Sequence, residues 1–291
     1  IKSKIETKFQ LYGYWPLDTP AIEKCEILFA KGGGETAKQV HRIDKGEHSH
    51  EQALRFDLTV PLARYVAQHT NELSFPFRRY HIAKVYRGER NQKGRYREFY
   101  QCDIDIIGRD TLSLINDAEI PAVIHQVFRS IGVSDAVFHI NNRRLLNGMF
   151  EALKVEKNEE ALRAIDKLAK IGEEAVAEML AALGVSENSI KEIFEFIKPQ
   201  KSNEVLIEML DRKKAEWNNE LFDIGVKELK EVYAKMQEFE VPRENIVLDL
   251  SITRGLDYYT GTVYETFLRN YEKLGSVCSG GRYDDLAKNF S

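Results

Sequence analysis

The chain has 291 residues, 43% of them apolar and 30% charged, with a formal net charge of −4. That balance fits a globular protein with a large core and excludes a globally basic nucleic-acid binder, while leaving room for a local basic patch. Cys25, Cys102 and Cys278 are far apart, without a Cys-x-x-Cys pair, which argues for a reducing compartment and against structural zinc. No apolar run approaches the ~20 residues of a membrane span, so no membrane partner and a cytoplasmic location are expected. The chain starts without Met, inside a helical pattern, and reads as a piece of a longer protein.

In chain order, Ile1 to Tyr12 predicts a helix. Leu54, Phe56, Leu58 and Val60 alternate with Arg55, Asp57 and Thr59, which predicts a strand, and Pro61 then suits the first position of a helix. Tyr80 to Tyr86 predicts a second strand, leading into a cation-dense loop from Arg87. Residues 111–131 read as an amphipathic helix ending near Gly132, and Ala136 to Ile140 as a strand. Between about 145 and 240, Ala, Glu, Lys, Leu and Ile dominate at helical spacing, predicting an all-helical insertion. Strand patterns return from Ile246 onward, where Leu248, Leu250 and Ile252 alternate with Asp249, Ser251 and Thr253, and at Thr262 to Leu268. Strands not separated by regular helices predict an α+β fold with an antiparallel sheet flanked by helices.

The segment from 87 to 105 is the most informative. Odd positions carry Arg95, Arg97, Phe99, Gln101, Asp103 and Asp105, whereas even positions from Tyr96 are mostly apolar. Alternation across a strand gives one face for a core and one for charge. The charged face is either a wet outer surface or a site for a ligand carrying phosphate, a base and an amine. Three more polar clusters fall at predicted strand ends: Arg55 to Thr59, Arg254-Gly-Leu-Asp-Tyr-Tyr259, and Gly280-Gly-Arg-Tyr-Asp284. Arg254 suits either a ligand or an ion pair with Asp257, and Tyr258 and Tyr259 either packing or hydroxyl donation. Lys31-Gly-Gly-Gly-Glu35 lacks the spacing of a phosphate loop, and His48 and His50 lack further metal ligands, so both read as loop residues.

Together these motifs closely resemble the histidyl-tRNA synthetase family, among the class II aminoacyl-tRNA synthetases. Leu17-Asp-Thr-Pro-Ala-Ile-Glu23 is similar to motif 1, residues 78–108 to motif 2, and Arg254 to Tyr259 to a segment particular to the histidine enzymes. The resemblance implies a catalytic core over 1–145 and 244–291, a helical insertion over 146–243, and motif 3 and an anticodon-binding domain beyond Ser291. It implies a homodimer that joins L-histidine to ATP, with Mg²⁺ bridging phosphates, and passes histidine to tRNA(His). Arg87 and Arg254 would face the α-phosphate, with Gln101 as a third catalytic position. Asp57, Leu58, Thr59 and Gln101 would hold the α-amino end of histidine, and Asp105, Tyr258 and Tyr259 its imidazole. Glu89, Arg95 and Phe99 would serve ATP, and no residue is assigned to a metal. The alternative is a non-catalytic paralogue that regulates histidine biosynthesis; the presence of Arg87, Gln101, Asp105 and Arg254 together favours the enzyme.

Overall fold

The computed structural model describes residues 1–29, 39–44, 46, 51–88, 94–253, 259–284, 288 and 290. Two sheets carry the architecture. In the first, β5 (Phe77–Tyr86) pairs antiparallel with β6 (Glu98–Ile107), and the short β1 (Trp15–Pro16) lies parallel to β5. The register sets Arg79 opposite Asp105, His81 opposite Asp103, Ala83 opposite Gln101 and Val85 opposite Phe99. One face therefore gathers Arg79, His81, Gln101, Asp103 and Asp105. The other carries Tyr80, Ile82, Ile104 and Ile106, which pack on Ile5 and Phe9 of α1 (Lys2–Leu11) and on Val123 and Val127 of α4 (Ile115–Ser130). Burying each of these aliphatic or aromatic side chains contributes roughly 1.5–3 kcal/mol, which fixes the pleat and points the polar face inward.

The second sheet has the order β10 (Cys278–Gly281), β9 (Thr262–Leu268), β7 (Ala136–Asn142), β8 (Ile246–Leu248), antiparallel except for the β7–β8 pair. A small third sheet joins β2 (Ile22–Lys24), β4 (Gln52–Leu54) and β3 (Arg42–Ile43), with α2 (Cys25–Leu28) beside it. From β7 the chain enters six helices: α5 (Arg143–Ala152), α6 (Asn158–Ile165), α7 (Leu168–Ala182), α8 (Glu187–Ile197), α9 (Asn203–Trp217) and α10 (Glu220–Glu238). Their starts follow ordinary capping chemistry: Asn142, Ser186, Ser202 and Asn219 each accept a backbone N–H from the first turn. Their apolar stripes, with Leu146, Leu162, Leu180, Ile193, Phe196, Phe222 and Val232, form one cluster with Phe138, Ile140 and Leu248 of the second sheet. The α+β fold, the first helix, the helical run and the strand at 262–268 agree with the sequence reading.

Two expected strands are shorter than their alternation implied. The strand expected from Leu54 to Val60 stops at Leu54, and α3 (Thr59–His69) begins five residues later. Arg55, Phe56, Asp57 and Leu58 are all buried because this link runs through the interior, so neither alternating set faces water. The Arg55 guanidinium donates to the carbonyls of Thr19 and Lys84, its backbone N–H donates to the Ala21 carbonyl and its carbonyl accepts from Tyr86, which ties the link into the interior. The strand expected from Ile246 through Thr253 starts at Ile246 but likewise ends early, at Leu248. Asp249 accepts both the backbone N–H and the hydroxyl of Ser251, and that local turn replaces the next ladder bonds.

Candidate active site

The polar face of the β5–β6 hairpin meets the N-terminus of α3 and the β9–β10 edge around a cavity of about 540 Å³. Thr59, Asp105 and Tyr259 line it together, as do Gly280, Gly281, Arg282 and Tyr283. Asp105, 8% exposed, is held from two sides. The Tyr283 hydroxyl donates to Oδ1 at 2.7 Å, and Nη2 of Arg79 lies 2.9 Å from Oδ2 in an ion pair. That ion pair lacks hydrogen-bond geometry, so Oδ2 keeps an open acceptor among the described residues. Burial pushes the Tyr283 phenol well above its usual range, which keeps it the donor.

Arg79 is the cation at the centre of this face and is only 1% exposed. It donates to the carbonyl of Leu58 at 2.9 Å, so it ties the β5–β6 face to the start of α3. Nearby, Asp57 is buried and its Oδ1 accepts the backbone N–H of Val60 at 3.0 Å. Burial raises its carboxyl, while that backbone bond and the Arg87 and Arg79 guanidiniums pull it back. Arg87 itself sits over the rings of Phe56 and Phe99, 4.4 and 5.2 Å from their centroids, and its Nε donates to the Phe56 carbonyl. His81, opposite Asp103, is held down to about 4 by burial and by Arg79 and Arg55, so it is neutral at pH 7.

The far wall is an ion pair. Arg282 grips Asp117 through Nε and Nη2 at 2.7–3.1 Å, and Nη2 also donates to the carbonyls of Leu112 and Ser113. This anchors the turn after β6 to the end of β10. Two glycines make the floor possible: a Cβ on Gly280 would stand 2.3 Å from the Tyr264 hydroxyl, and one on Gly281 2.6 Å from the Thr262 carbonyl and 2.9 Å from the Tyr259 ring.

Of the residues singled out by sequence, Asp57, Leu58, Thr59, Arg87, Phe99, Gln101, Asp105 and Tyr259 converge on this region, with Thr59, Asp105 and Tyr259 in the cavity wall itself. Arg95 is exposed beside the hairpin tip. Glu89, Arg254 and Tyr258, the 31–35 run and His48 and His50 lie outside the described residues. Sequence alone points to no role for Arg79 or Tyr283. Tyr283 belongs to the Gly-Gly-Arg-Tyr-Asp cluster, but nothing local ties it to Asp105, 178 residues away. Among the described residues, no group of three or more His, Cys, Asp or Glu is placed to hold a metal ion, and no helix is long and apolar enough to cross a membrane.

A cavity with an anchored carboxylate, two phenols and a flanking arginine offers acceptors suited to a small polar ligand with N–H donors. Comparison with known proteins gives the chain its family. The histidyl-tRNA synthetase family model matches residues 1–291. The chain is 55% identical to the histidine–tRNA ligase of Clostridium tetani, over 100% of the chain and 65% of that protein. It is 54% identical to the one of Finegoldia magna, over 100% of the chain and 67% of that protein. It superposes on the crystal structure of histidyl-tRNA synthetase from Nostoc sp. PCC 7120 with a TM-score of 0.87 at 40% identity, over 99% of this chain and 65% of that one. The chain belongs to the histidyl-tRNA synthetase family and spans about two-thirds of the length of these relatives.

Proposed function

We propose that the cavity is the amino-acid site of a histidine–tRNA ligase of class II, which activates L-histidine with ATP and passes it to tRNA(His). The observation that carries this reading is Asp105, fixed between Arg79 and Tyr283 with one acceptor open, in the same cavity wall as Tyr259. An imidazole between a carboxylate and a phenol would satisfy both. A ligand without N–H groups would leave Asp105 unpaired, and polar sites of this kind discriminate by roughly 10⁴-fold or more.

Attack of the histidine carboxylate on the α-phosphate forms a new C–O–P linkage and expels pyrophosphate, and it brings two anions together. Cations fixed in advance are what lower that barrier. Arg87, held between Phe56 and Phe99, is such a cation. By family likeness it would grip the α-phosphate with Arg254, while Glu89, Arg95 and Phe99 would serve the remainder of ATP. Asp57, Leu58, Thr59 and Gln101 would receive the α-amino end, and Tyr258 would flank the imidazole. Mg²⁺ would come with the triphosphate rather than with dedicated protein ligands and would supply charge neutralisation there. The helices within 146–243 would form an insertion between the two parts of the core, 1–145 and 244–291, of a cytoplasmic homodimer. The test is histidine-dependent ATP–pyrophosphate exchange in the full-length protein: Asp105→Ala raises the KM for histidine by orders of magnitude and leaves that for ATP within a few-fold. An unchanged histidine KM removes the pocket assignment.

A further inference from the structure

The turn from β7 into α5, Asn141 to Arg144, grips both flanks of the segment that ends in Tyr259. Asn141 is fully buried, and its Nδ2 donates to the carbonyls of Leu250 and Ile252 at 3.1 and 2.9 Å. Arg143 reaches both flanks by itself. Its Nη1 donates to the Thr253 carbonyl at 3.0 Å, and its backbone N–H donates to the Gly261 carbonyl at 2.9 Å. Tyr259, in the cavity wall, stands two residues before Gly261, with its ring packed on Ala63. Thr260 fixes the step between them. Its N–H donates to the Arg282 carbonyl at 2.8 Å and its hydroxyl to Oδ2 of Asp284 at 2.6 Å.

The helical run holds the same turn from the other side. Glu228 of α10 takes one neighbour of Arg143 with each oxygen: Asn142 Nδ2 donates to Oε2 at 2.9 Å, and Arg144 Nη1 donates to Oε1 at 2.9 Å. With 30% and 17% of their side chains exposed, Arg144 and Glu228 are shielded from the screening that weakens surface pairs. Arg144 Nη2 also lies 3.9 Å from Oδ2 of Asp284, the oxygen that receives the Thr260 hydroxyl. α5 and α10 meet backbone to backbone. A Cβ on Gly225, one turn before Glu228, would stand 2.7 Å from the Leu145 nitrogen, and one on Gly148 would collide with the Phe222 nitrogen. Helices in such close contact move as a unit, so a displacement of Glu228 is passed to Asn142, Arg143 and Arg144, and from them to 260–261.

We propose that Arg143 and Glu228 are positioning residues for Tyr259: Arg143 sets where the phenol stands in the cavity, and Glu228 ties that setting to α10. This rests on the reading of the cavity as a histidine site. Neither side chain lines the cavity, so both act on the ligand through the backbone at 259–261. The hydrogen bond of a phenol is directional, and a misplacement of about 1 Å can cost about 10²-fold in a site of this kind. A pair that only stabilised the fold would lower the thermal midpoint without acting through the Tyr259 hydroxyl.

Calorimetry of histidine binding to the full-length protein tests this, with Arg143→Met and Glu228→Gln each made alone and each combined with Tyr259→Phe. Far-ultraviolet circular dichroism checks that each variant is folded. Tyr259→Phe alone weakens histidine about 10-fold; in the wild-type background Arg143→Met does so about 10-fold and Glu228→Gln about 3- to 10-fold. In the Tyr259→Phe background each costs less than about 2-fold, because the hydroxyl they place is gone. Equal losses in the two backgrounds overturn the proposal and make the pair structural, and so does wild-type affinity in both folded single variants. If one variant does not fold, the other carries the same comparison; if neither folds, the pair is structural and the proposal falls. Wild-type affinity in Tyr259→Phe also overturns it, while leaving the Asp105 side of the cavity as a histidine site. A wild-type protein that binds no histidine overturns that reading and the proposal together.

Discussion

Replacing Arg79 with Met tests how the site is held together. The side chain is 1% exposed, lies 2.9 Å from Asp105 and donates to the Leu58 carbonyl at 2.9 Å. Methionine fills a similar volume but leaves Asp105 with the Tyr283 hydroxyl alone and Leu58 without a donor. Removing one partner of a buried pair costs about 3–5 kcal/mol, because the remaining charge stays desolvated. The orphaned carbonyl overlaps with that figure rather than adding to it, so a loss of about 4 kcal/mol is expected in urea unfolding at pH 7. The pH dependence has a definite sign. Arg79 pulls down the carboxyls of Asp57 and Asp103, so its removal raises both in the folded state. The variant's folded form then binds more protons than the wild type's, and its deficit shrinks as pH falls from 7 toward 5. Asp105→Asn added to Arg79→Met should restore part of the loss, with a coupling of about 1–3 kcal/mol. A loss below about 1 kcal/mol, or one that grows on acidification, refutes the view of Arg79 as the buried counter-ion of this face.

Tyr283→Phe removes the 2.7 Å bond to Asp105 while keeping the ring, and should raise the histidine KM in pyrophosphate exchange by about 10-fold or more with little change for ATP. Gly281→Ala drives a Cβ to within 2.6 Å of the Thr262 carbonyl and 2.9 Å of Tyr259, so the pocket floor must shift; histidine binding measured by calorimetry falls steeply in protein whose far-ultraviolet circular dichroism is unchanged. Arg282→Gln releases Asp117 and the turn at 112–113, and should lower the thermal midpoint by several degrees and admit protease at that turn. Arg254→Ala should abolish adenylate formation in a folded protein, measured as loss of exchange at saturating histidine and ATP.

Much of the framework is legible in the sequence, for identifiable reasons. Thr262 to Leu268 is rich in β-branched and aromatic residues after Gly261, and the structure forms β9 over that span. The helical run carries its own caps and stripes, so short-range chemistry suffices to locate it. The 54–60 and 248–253 segments mislead because alternation implies a strand only when one set of residues meets water. Arg55 and Asp57 are instead satisfied inside the fold, and Asp249 by Ser251 in a local turn. For the site, alternation alone places Phe99, Gln101, Asp103 and Asp105 on one face. The identity of what they face needs the β5–β6 register for Arg79 and the end of β10 for Tyr283, and neither can be read from a single segment.

If the cavity selects histidine for activation, ATP–pyrophosphate exchange by the full-length protein, run with each of the twenty amino acids in turn, proceeds with histidine at least about 10⁴-fold above any other. Exchange with a different amino acid, or none with any from a folded protein, refutes the assignment of the cavity to histidine.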